Sequence, residues 1–226
     1  MSSFSFQFDV DVEPELLQQV TPLKHDSVKQ DLCVTEPIKK ECFLVPCPHY
    51  EEGDHRNFST HNIGDFIFKE ALVDRSIEQG ASSSILLHDK EDHDLIPGHY
   101  EGGFKIWECS YDLAEILVKS TNLLSYKPKR ILELGCGHGV PGIIASKVLD
   151  DISEIVFSDF NSEVLAMTTW PNILLNCTPE TLQKVRCIAG DWNLLSAIIG
   201  KFDLILSAET LYSAGSCQQV SWEIFA

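Results

Sequence analysis

The stretch ELGCGHGVPG at residues 133–142 decides the fold of this 226-residue chain. It continues the apolar run at residues 131–134, which predicts a buried strand, and it leads into a helix-forming stretch at residues 142–149. Glycines at alternate positions let the backbone turn sharply and approach a ligand, and the start of a helix offers unpaired N–H groups to an anion. Pro141 suits the first turn of that helix, where its missing N–H costs nothing. The stretch therefore predicts a strand, a ligand-binding turn and a helix in succession.

The alternation of short apolar runs and helical segments continues toward the C-terminus. Predicted strands fall at residues 131–134, 155–158, 185–189 and 202–207. Predicted helices fall between them at residues 142–149, 163–175 and 194–199. Four strands interleaved with three helices predict an α/β fold with a doubly wound, mostly parallel, Rossmann-like sheet.

A dinucleotide-binding fold is the nearest alternative, because it places G-x-G-x-x-G after the same kind of strand. Its third glycine would fall at position 140, which is Val140. The alternate glycines Gly135, Gly137 and Gly139, preceded by Glu133, instead resemble the first motif of the class I (seven-β-strand) S-adenosylmethionine-dependent methyltransferases. The glycine pattern therefore favours a methyltransferase over a dehydrogenase.

Two further strand ends carry acids that suit a nucleoside. Asp159 closes the second predicted strand, where a carboxylate can accept hydrogen bonds from ribose hydroxyls, although a helix cap is an alternative role. Asp191 closes the third strand and can accept the exocyclic amine of adenine, while Trp192 offers the ring an apolar face or simply packs in the core. Ligands of open α/β sheets bind outside the carboxyl ends of the strands, so these acids and Glu133 together favour a cofactor site.

A longer block sharpens the resemblance. The segments YEGGFKIWECSYDL at residues 100–113, FSDFN at 157–161 and LILSAETLY at 204–212 are similar to the histidine protein methyltransferases of the same superfamily. The resemblance spans roughly residues 95–212. It implies methyl transfer from S-adenosyl-L-methionine to a ring nitrogen of a protein histidine, with a large-subunit ribosomal protein as the family's typical substrate. Related lysine methyltransferases share the acid-x-x-aromatic motif at 209–212, so a lysine acceptor stays open.

The resemblance also implies which residues form the site. The implied cofactor-binding residues are Ile106, Trp107, Glu108, Cys109, Ser110, Glu133, Gly135, Gly137, Gly139, Ser158, Asp159, Phe160, Gly190, Asp191, Trp192 and Ser207. Glu209 and Tyr212 are the implied catalytic residues. We expect Glu209 to accept the N–H of the non-reacting imidazole nitrogen, and Tyr212 or Trp107 to supply an apolar or cation-π wall.

Charge and composition limit the partners. The formal net charge of −17 argues against nucleic acid as a direct partner. The first residues lack a signal peptide and no run approaches the roughly 18 apolar residues of a membrane span, which predicts a cytoplasmic or nuclear protein without membrane contact. The eight cysteines form no C-x-x-C pair, so we expect reduced thiols and no metal. His138 is interpreted as a loop residue that faces solvent or cofactor.

The chain divides into two predicted regions. Residues 1–98 carry a net charge of −11 and are expected to form an acidic, partly disordered extension with a small accessory strand layer at 65–73 and 84–88. Within them, residues 37–62 read as a linker. Residues 99–226 are expected to form an incomplete methyltransferase domain that lacks its C-terminal strands. The strand at 202–207 is then an exposed edge that promotes self-association, and an inactive fragment that acts only through protein binding is the alternative to an enzyme.

Overall fold

The fold is given by a computed structural model that describes residues 41–48, 57–72, 102–120, 127–208 and 210. The N-terminal strands are β1 (Phe43–Val45), β2 (Phe58–Ile63) and β3 (Phe66–Ala71), followed by helix α1 (Glu108–Lys119). Strands and helices then alternate as β4 (Arg130–Leu134), α2 (Val140–Val148), β5 (Glu154–Asp159), α3 (Ser162–Val164), a π-helical turn (Leu165–Thr169), α4 (Trp170–Asn176), α5 (Pro179–Leu182), β6 (Val185–Ala189), α6 (Trp192–Ile199) and β7 (Leu204–Ser207).

The main sheet has the strand order β1-β6-β5-β4-β7. Strands β6, β5, β4 and β7 are parallel, and β1 adds an antiparallel strand at one edge. Apolar side chains of β4 and β5 are buried on both sheet faces, which explains why these strands read as continuous apolar runs in the sequence. The predicted α/β fold with a mostly parallel Rossmann-like sheet is confirmed.

The two faces of the sheet have separate apolar cores. One core contains Ile131, Ile155 and Phe157 together with residues of α1, α2 and α4. The other contains Leu132, Val156 and residues of α6. Helices therefore cover both faces of the sheet, as a doubly wound fold requires.

The expectation of a linker at residues 37–62 is wrong for its described parts, 41–48 and 57–62, which contain strands. Strand β1 pairs with β6 in the register Leu44↔Ile188, and β2 pairs with β3 as an antiparallel hairpin. A three-residue edge strand shows no side-chain period: Phe43 and Leu44 are exposed and only Val45 is buried. Backbone pairing with β6 forms this strand, and no single-sequence pattern reveals such pairing.

Some sequence predictions fall outside the described residues. These include the strand at 84–88 and the segment after position 210. The strand predicted at 65–73 is β3. Within the described part of the chain, no helix has both the length and the apolar character needed to cross a membrane.

Candidate cofactor-binding site

The alternate glycines form a tight turn between β4 and α2. Gly137 has a φ of 49°, and a Cβ atom there would lie 3.3 Å from the carbonyl oxygen of Gly103, tighter than ordinary contact. Gly135 has a φ of 59°, and a Cβ there would overlap the methyl group of Thr210. L-residues rarely adopt these φ values, so glycine is required at both positions. We call residues 135–139 the glycine turn.

Glu133 lies beneath the glycine turn and is only 3% exposed. Its Oε2 accepts a 2.7 Å hydrogen bond from the amide of Gly142 in the first turn of α2. Burial raises the pKa of Glu133 to about 8, and nearby Asp159 adds to the shift. The side chain is therefore placed to support the start of α2, and its predicted contact with a cofactor stays a prediction.

Asp159 holds the glycine turn from the neighbouring strand. Its Oδ2 accepts a 3.0 Å hydrogen bond from the amide of Gly137, and its Oδ1 accepts one of 3.0 Å from the amide of Asn161. The carboxylate is 5% exposed. It thus fixes the turn at the carboxyl end of β5, where the sequence places a ribose-binding acid.

The helix after β5 contributes two threonines that the sequence reasoning missed. Thr168 and Thr169 are fully buried, and the Thr169 hydroxyl donates to the carbonyl of Gly137 at 2.5 Å. The Thr168 hydroxyl donates to the carbonyl of Val164 at 2.6 Å and lies 3.3 Å from that of Gly137. Both threonines lie in the π-helical turn. Polar residues on the buried face of a helix were the only sequence signal for them.

The segment before α1 covers the same turn. The carbonyl of Gly103 faces Gly137, and the indole N–H of Trp107 donates to the carbonyl of Gly102 at 3.2 Å. The ammonium of Lys105 lies 4.6 Å from the centre of the Trp107 ring. Helix α1 begins at Glu108, so the predicted residues Ile106 to Ser110 occupy this segment and the first turn of α1.

The carboxyl end of β6 carries the predicted adenine residues. Trp192 lies beside the glycine turn, since its Cζ2 would be 3.4 Å from a Cβ on Gly135. Asp191 caps α6 by accepting hydrogen bonds of 2.9 Å from the backbone amide and the side-chain amide of Asn193. The thiol of Cys42 donates to the carbonyl of Asp191 at 3.0 Å, and Gly190 leaves no room for a Cβ beside Cys42. The residues next to β1 therefore border the predicted adenine pocket.

Two serines flank β4 at its carboxyl end. Strand register places Ser158 and Ser207 opposite Leu134, on either side of it. The Ser158 hydroxyl and the Trp192 indole N–H are buried without a hydrogen-bond partner among the described residues. Ser207 forms a short hydrogen bond with Thr210. Phe160 is half-buried just beyond β5.

The carboxyl ends of the parallel strands thus bring together most of the residues implied by the resemblance. A glycine turn that tolerates no side chain, neighbouring hydroxyls and an indole ring fit a nucleoside cofactor with a polar tail. Among the described residues, no group of three or more His, Cys, Asp or Glu is arranged to hold a metal ion. Glu209 and Tyr212 lie outside the described residues, and their roles stay predictions.

His138 does not face solvent, which is one of the two orientations expected from the sequence. It is 6% exposed, and its ring faces Glu70 of β3 rather than solvent. Its carbonyl accepts a 2.9 Å hydrogen bond from the side-chain amide of Asn172. The glycine turn is therefore also connected to the β2–β3 hairpin.

The strand order and the glycine turn define a Rossmann-like α/β domain. The chain belongs to the family described as "Lysine methyltransferase", whose profile matches residues 97–221, more than half of the chain.

Individual relatives carry more specific names. The "Histidine protein methyltransferase 1 homolog" of Dictyostelium discoideum is 43% identical over 129 residues, which cover 56% of this chain and 40% of the relative. The homolog of the same name from Bos taurus is 38% identical and covers 53% of this chain and 39% of the relative. The chain thus spans about 40% of the length of these curated relatives.

The crystal structure of a putative RNA methyltransferase from Pyrococcus horikoshii aligns with a TM-score of 0.41 and 16% identity, covering 54% of this chain and 60% of that one. This likeness does not bear on function.

Proposed function

We propose that this chain forms the cofactor-binding part of an S-adenosyl-L-methionine-dependent protein methyltransferase that modifies a histidine ring nitrogen. One observation carries the proposal. The glycine turn at the end of β4 is held by Asp159 and bordered by residues 102–110, which belong to a block that resembles histidine protein methyltransferases. The names of the similar relatives support the choice of histidine.

When bound, S-adenosyl-L-methionine supplies an electrophilic methyl group on a positively charged sulfur. A neutral imidazole, with a reference pKa of about 6.5, presents a lone pair at pH 7. The chain's own residues therefore have mainly to bind and align the reactants and to exclude water. Gly137 permits close approach of the backbone, and Asp159 and Thr169 fix its amide and carbonyl.

Glu209 and Tyr212 complete the proposal at the acceptor side. A carboxylate that accepts the N–H of the non-reacting nitrogen selects the tautomer and stabilises the imidazolium as its charge develops. Glu209→Gln should then slow single-turnover methylation while leaving cofactor affinity unchanged. An unchanged single-turnover rate would remove this role.

Lysine is the second candidate acceptor, because the matching family is described as "Lysine methyltransferase". The two acceptors are distinguished by incubating the purified chain with tritiated S-adenosyl-L-methionine and a protein extract. Acid hydrolysis and chromatography then separate methylhistidine from methyllysine. Label in methylhistidine supports the proposal, and label in methyllysine alone replaces it with the second candidate.

Cofactor binding is tested first. Isothermal titration of the 226-residue chain with S-adenosylhomocysteine, together with size-exclusion chromatography, should give micromolar binding by a monodisperse sample. Absence of binding in a folded, monodisperse sample would refute the proposed function. A large-subunit ribosomal protein in the cytoplasm or nucleus is the substrate that we propose to examine first.

A further inference from the structure

A polar cluster joins the β2–β3 hairpin to the glycine turn. The Nδ1 atom of His138 lies 3.6 Å from Oε1 of Glu70 on β3 and 3.4 Å from the side-chain nitrogen of Asn172. Burial lowers the pKa of His138, so the ring is neutral at pH 7 and packs against Glu70 without forming an ion pair. The other oxygen of Glu70 accepts a 3.0 Å hydrogen bond from the Ser59 hydroxyl and lies 2.8 Å from Nε2 of His61. We call Ser59, His61, Glu70 and His138 the hairpin cluster. Its four members come from three segments of the chain, so it forms only when the hairpin docks.

The hairpin cluster is not a nucleophilic catalytic site. In a Ser-His-acid triad the serine and the acid contact different nitrogens of the imidazole, which lets the ring pass a proton. Here Ser59 and Glu70 both approach Nε2 of His61, at 3.1 and 2.8 Å. The ring cannot relay a proton between two groups on the same nitrogen, so a different role has to account for the cluster.

Helix α4 makes a second connection between the hairpin and the turn. Asn172 accepts a 2.7 Å hydrogen bond from the amide of Ala71 and donates one of 2.9 Å to the carbonyl of His138. Asn176 accepts a hydrogen bond from the Lys69 amide at 2.9 Å and donates to the Lys69 carbonyl at 2.6 Å. These side chains satisfy the backbone of β3 as another strand would. The main chain and the side chain of His138 are thus both linked to β3.

We propose that Glu70 is a positioning residue for the cofactor: through His138 it holds the glycine turn in its binding conformation. The inference rests on the proposed function. His138 stands between Gly137 and Gly139, and glycine loses more backbone freedom on ordering than any other residue. If the turn is already ordered in the free protein, binding does not have to offset the entropic cost of ordering it, and affinity is higher. The hairpin is therefore part of the cofactor-binding machinery although it lies far from the glycine turn in sequence.

The first test compares three variants by titration with S-adenosylhomocysteine. Glu70→Ala should weaken binding about tenfold, which corresponds to about 1.4 kcal/mol. Glu70→Gln keeps a side chain of the same length beside His138 and an oxygen that can accept from Ser59, and it should restore affinity to within about threefold of the wild type. Asp65→Ala removes an exposed carboxylate from the turn of the same hairpin and should leave affinity unchanged. Equal affinities for Glu70→Ala and Asp65→Ala would overturn the inference.

A second readout needs no ligand. The amides of Gly137 and Gly139 are hydrogen-bonded to Asp159 and to Cys136, so both should exchange slowly with solvent deuterium. Glu70→Ala should speed exchange at these two amides about tenfold without changing that of Val156 in the middle of β5. Equal acceleration at Val156 would mean a general loss of stability and would overturn the positioning role.

The two readouts separate the inference from the proposed function. If the wild-type chain does not bind S-adenosylhomocysteine, the proposed function fails. Selective acceleration at Gly137 and Gly139 would still show that Glu70 orders the turn. If the wild type binds and the exchange of these amides is the same in Glu70→Ala and Asp65→Ala, the inference fails while the proposed function stands.

Discussion

The carboxyl group of Glu133 and the amide of Gly142 are joined by a 2.7 Å hydrogen bond in the interior of the domain. Burial raises the pKa of Glu133 to about 8 from an ordinary value of 4.5. Between these two values the folded chain retains a proton that the unfolded chain releases. The contribution of the protonated Glu133 to the free energy of unfolding is fully present below pH 4.5 and is lost as the pH rises through 8.

Replacing Glu133 by Gln should remove this pH dependence. In the wild type, the contribution of Glu133 to the free energy of unfolding should fall by about 3 kcal/mol between pH 5.5 and 8, at about 1.4 kcal/mol per pH unit. Gln still accepts from Gly142 but does not titrate. Urea unfolding at the two pH values measures the difference. Glu115→Gln, at an exposed carboxylate of α1, is the control and should keep the wild-type slope. A Glu133→Gln slope equal to the wild type would contradict the buried, protonated state.

Gly137→Ala should reduce affinity for S-adenosylhomocysteine at least tenfold, because the new methyl group would press on the Gly103 carbonyl and move the turn. The control is Gly200→Ala. Gly200 also has a positive φ, 68°, but a Cβ there would lie an ordinary 3.7 Å from Arg130. Each variant should lose about 1–2 kcal/mol of stability from the strained backbone. Isothermal titration and urea unfolding of both variants check the prediction, which fails if the two variants lose affinity equally.

Asp159→Asn should weaken cofactor binding and stability together. The two carboxylate oxygens of Asp159 accept from two different amides, so an Asn side chain leaves one buried amide without an acceptor, at a cost of about 1–3 kcal/mol. Asp203→Asn is the matched control, because a single oxygen of Asp203 accepts from both Lys129 and Arg130 and an Asn oxygen can replace it. Thermal melts and titration with S-adenosylhomocysteine should show a loss only for Asp159→Asn. Unchanged affinity in that variant would show that Asp159 does not contribute to cofactor binding.

Cys42 should react slowly with iodoacetamide in the folded chain. Burial, reinforced by Asp191, raises the pKa of its thiol to about 11 from an ordinary 9.0, which lowers the thiolate fraction at pH 8 by about a hundredfold. Mass spectrometry of digested samples can follow alkylation at Cys42 and at the exposed Cys47. In urea the two rates should converge. Fast labelling of Cys42 without urea would mean that the residues beside β1 are not seated at the end of β6.

The sequence was sufficient to place the parallel strands, because each one is an apolar run and β4, β5 and β6 are each followed by a helical segment. The prediction of a strand at 185–189 coincides with β6, and that at 131–134 misses only the first residue of β4. Strand β1 could not be predicted in the same way, since its three residues are stabilised by backbone pairing with β6. Pairing at a sheet edge depends on which strand is left uncovered, and only the assembled fold determines that.

The same distinction applies to the site. The glycine turn and the acids at the strand ends were predictable because the positions after buried strands meet at one edge of a parallel sheet. The direction in which each acidic side chain points could not be predicted from the sequence. Glu133 points into the core toward Gly142, and Asp159 is occupied by backbone amides. The contact between Glu70 and His138 depends on how the hairpin docks, and neither residue has a neighbour in sequence that signals it.

The π-helical turn at Leu165–Thr169 determines which way the side chains of the following helix project. A π-helical turn holds one more residue than an α-helical turn, and one residue rotates an α-helix by about 100°. The extra residue therefore sets the direction in which Asn172 and Asn176 project, and both project toward β3. Deleting one residue within this turn would swing both amides away from the hairpin although no contacting side chain had been altered. In this protein the number of residues between β5 and α4 is as much a part of the site as their identity.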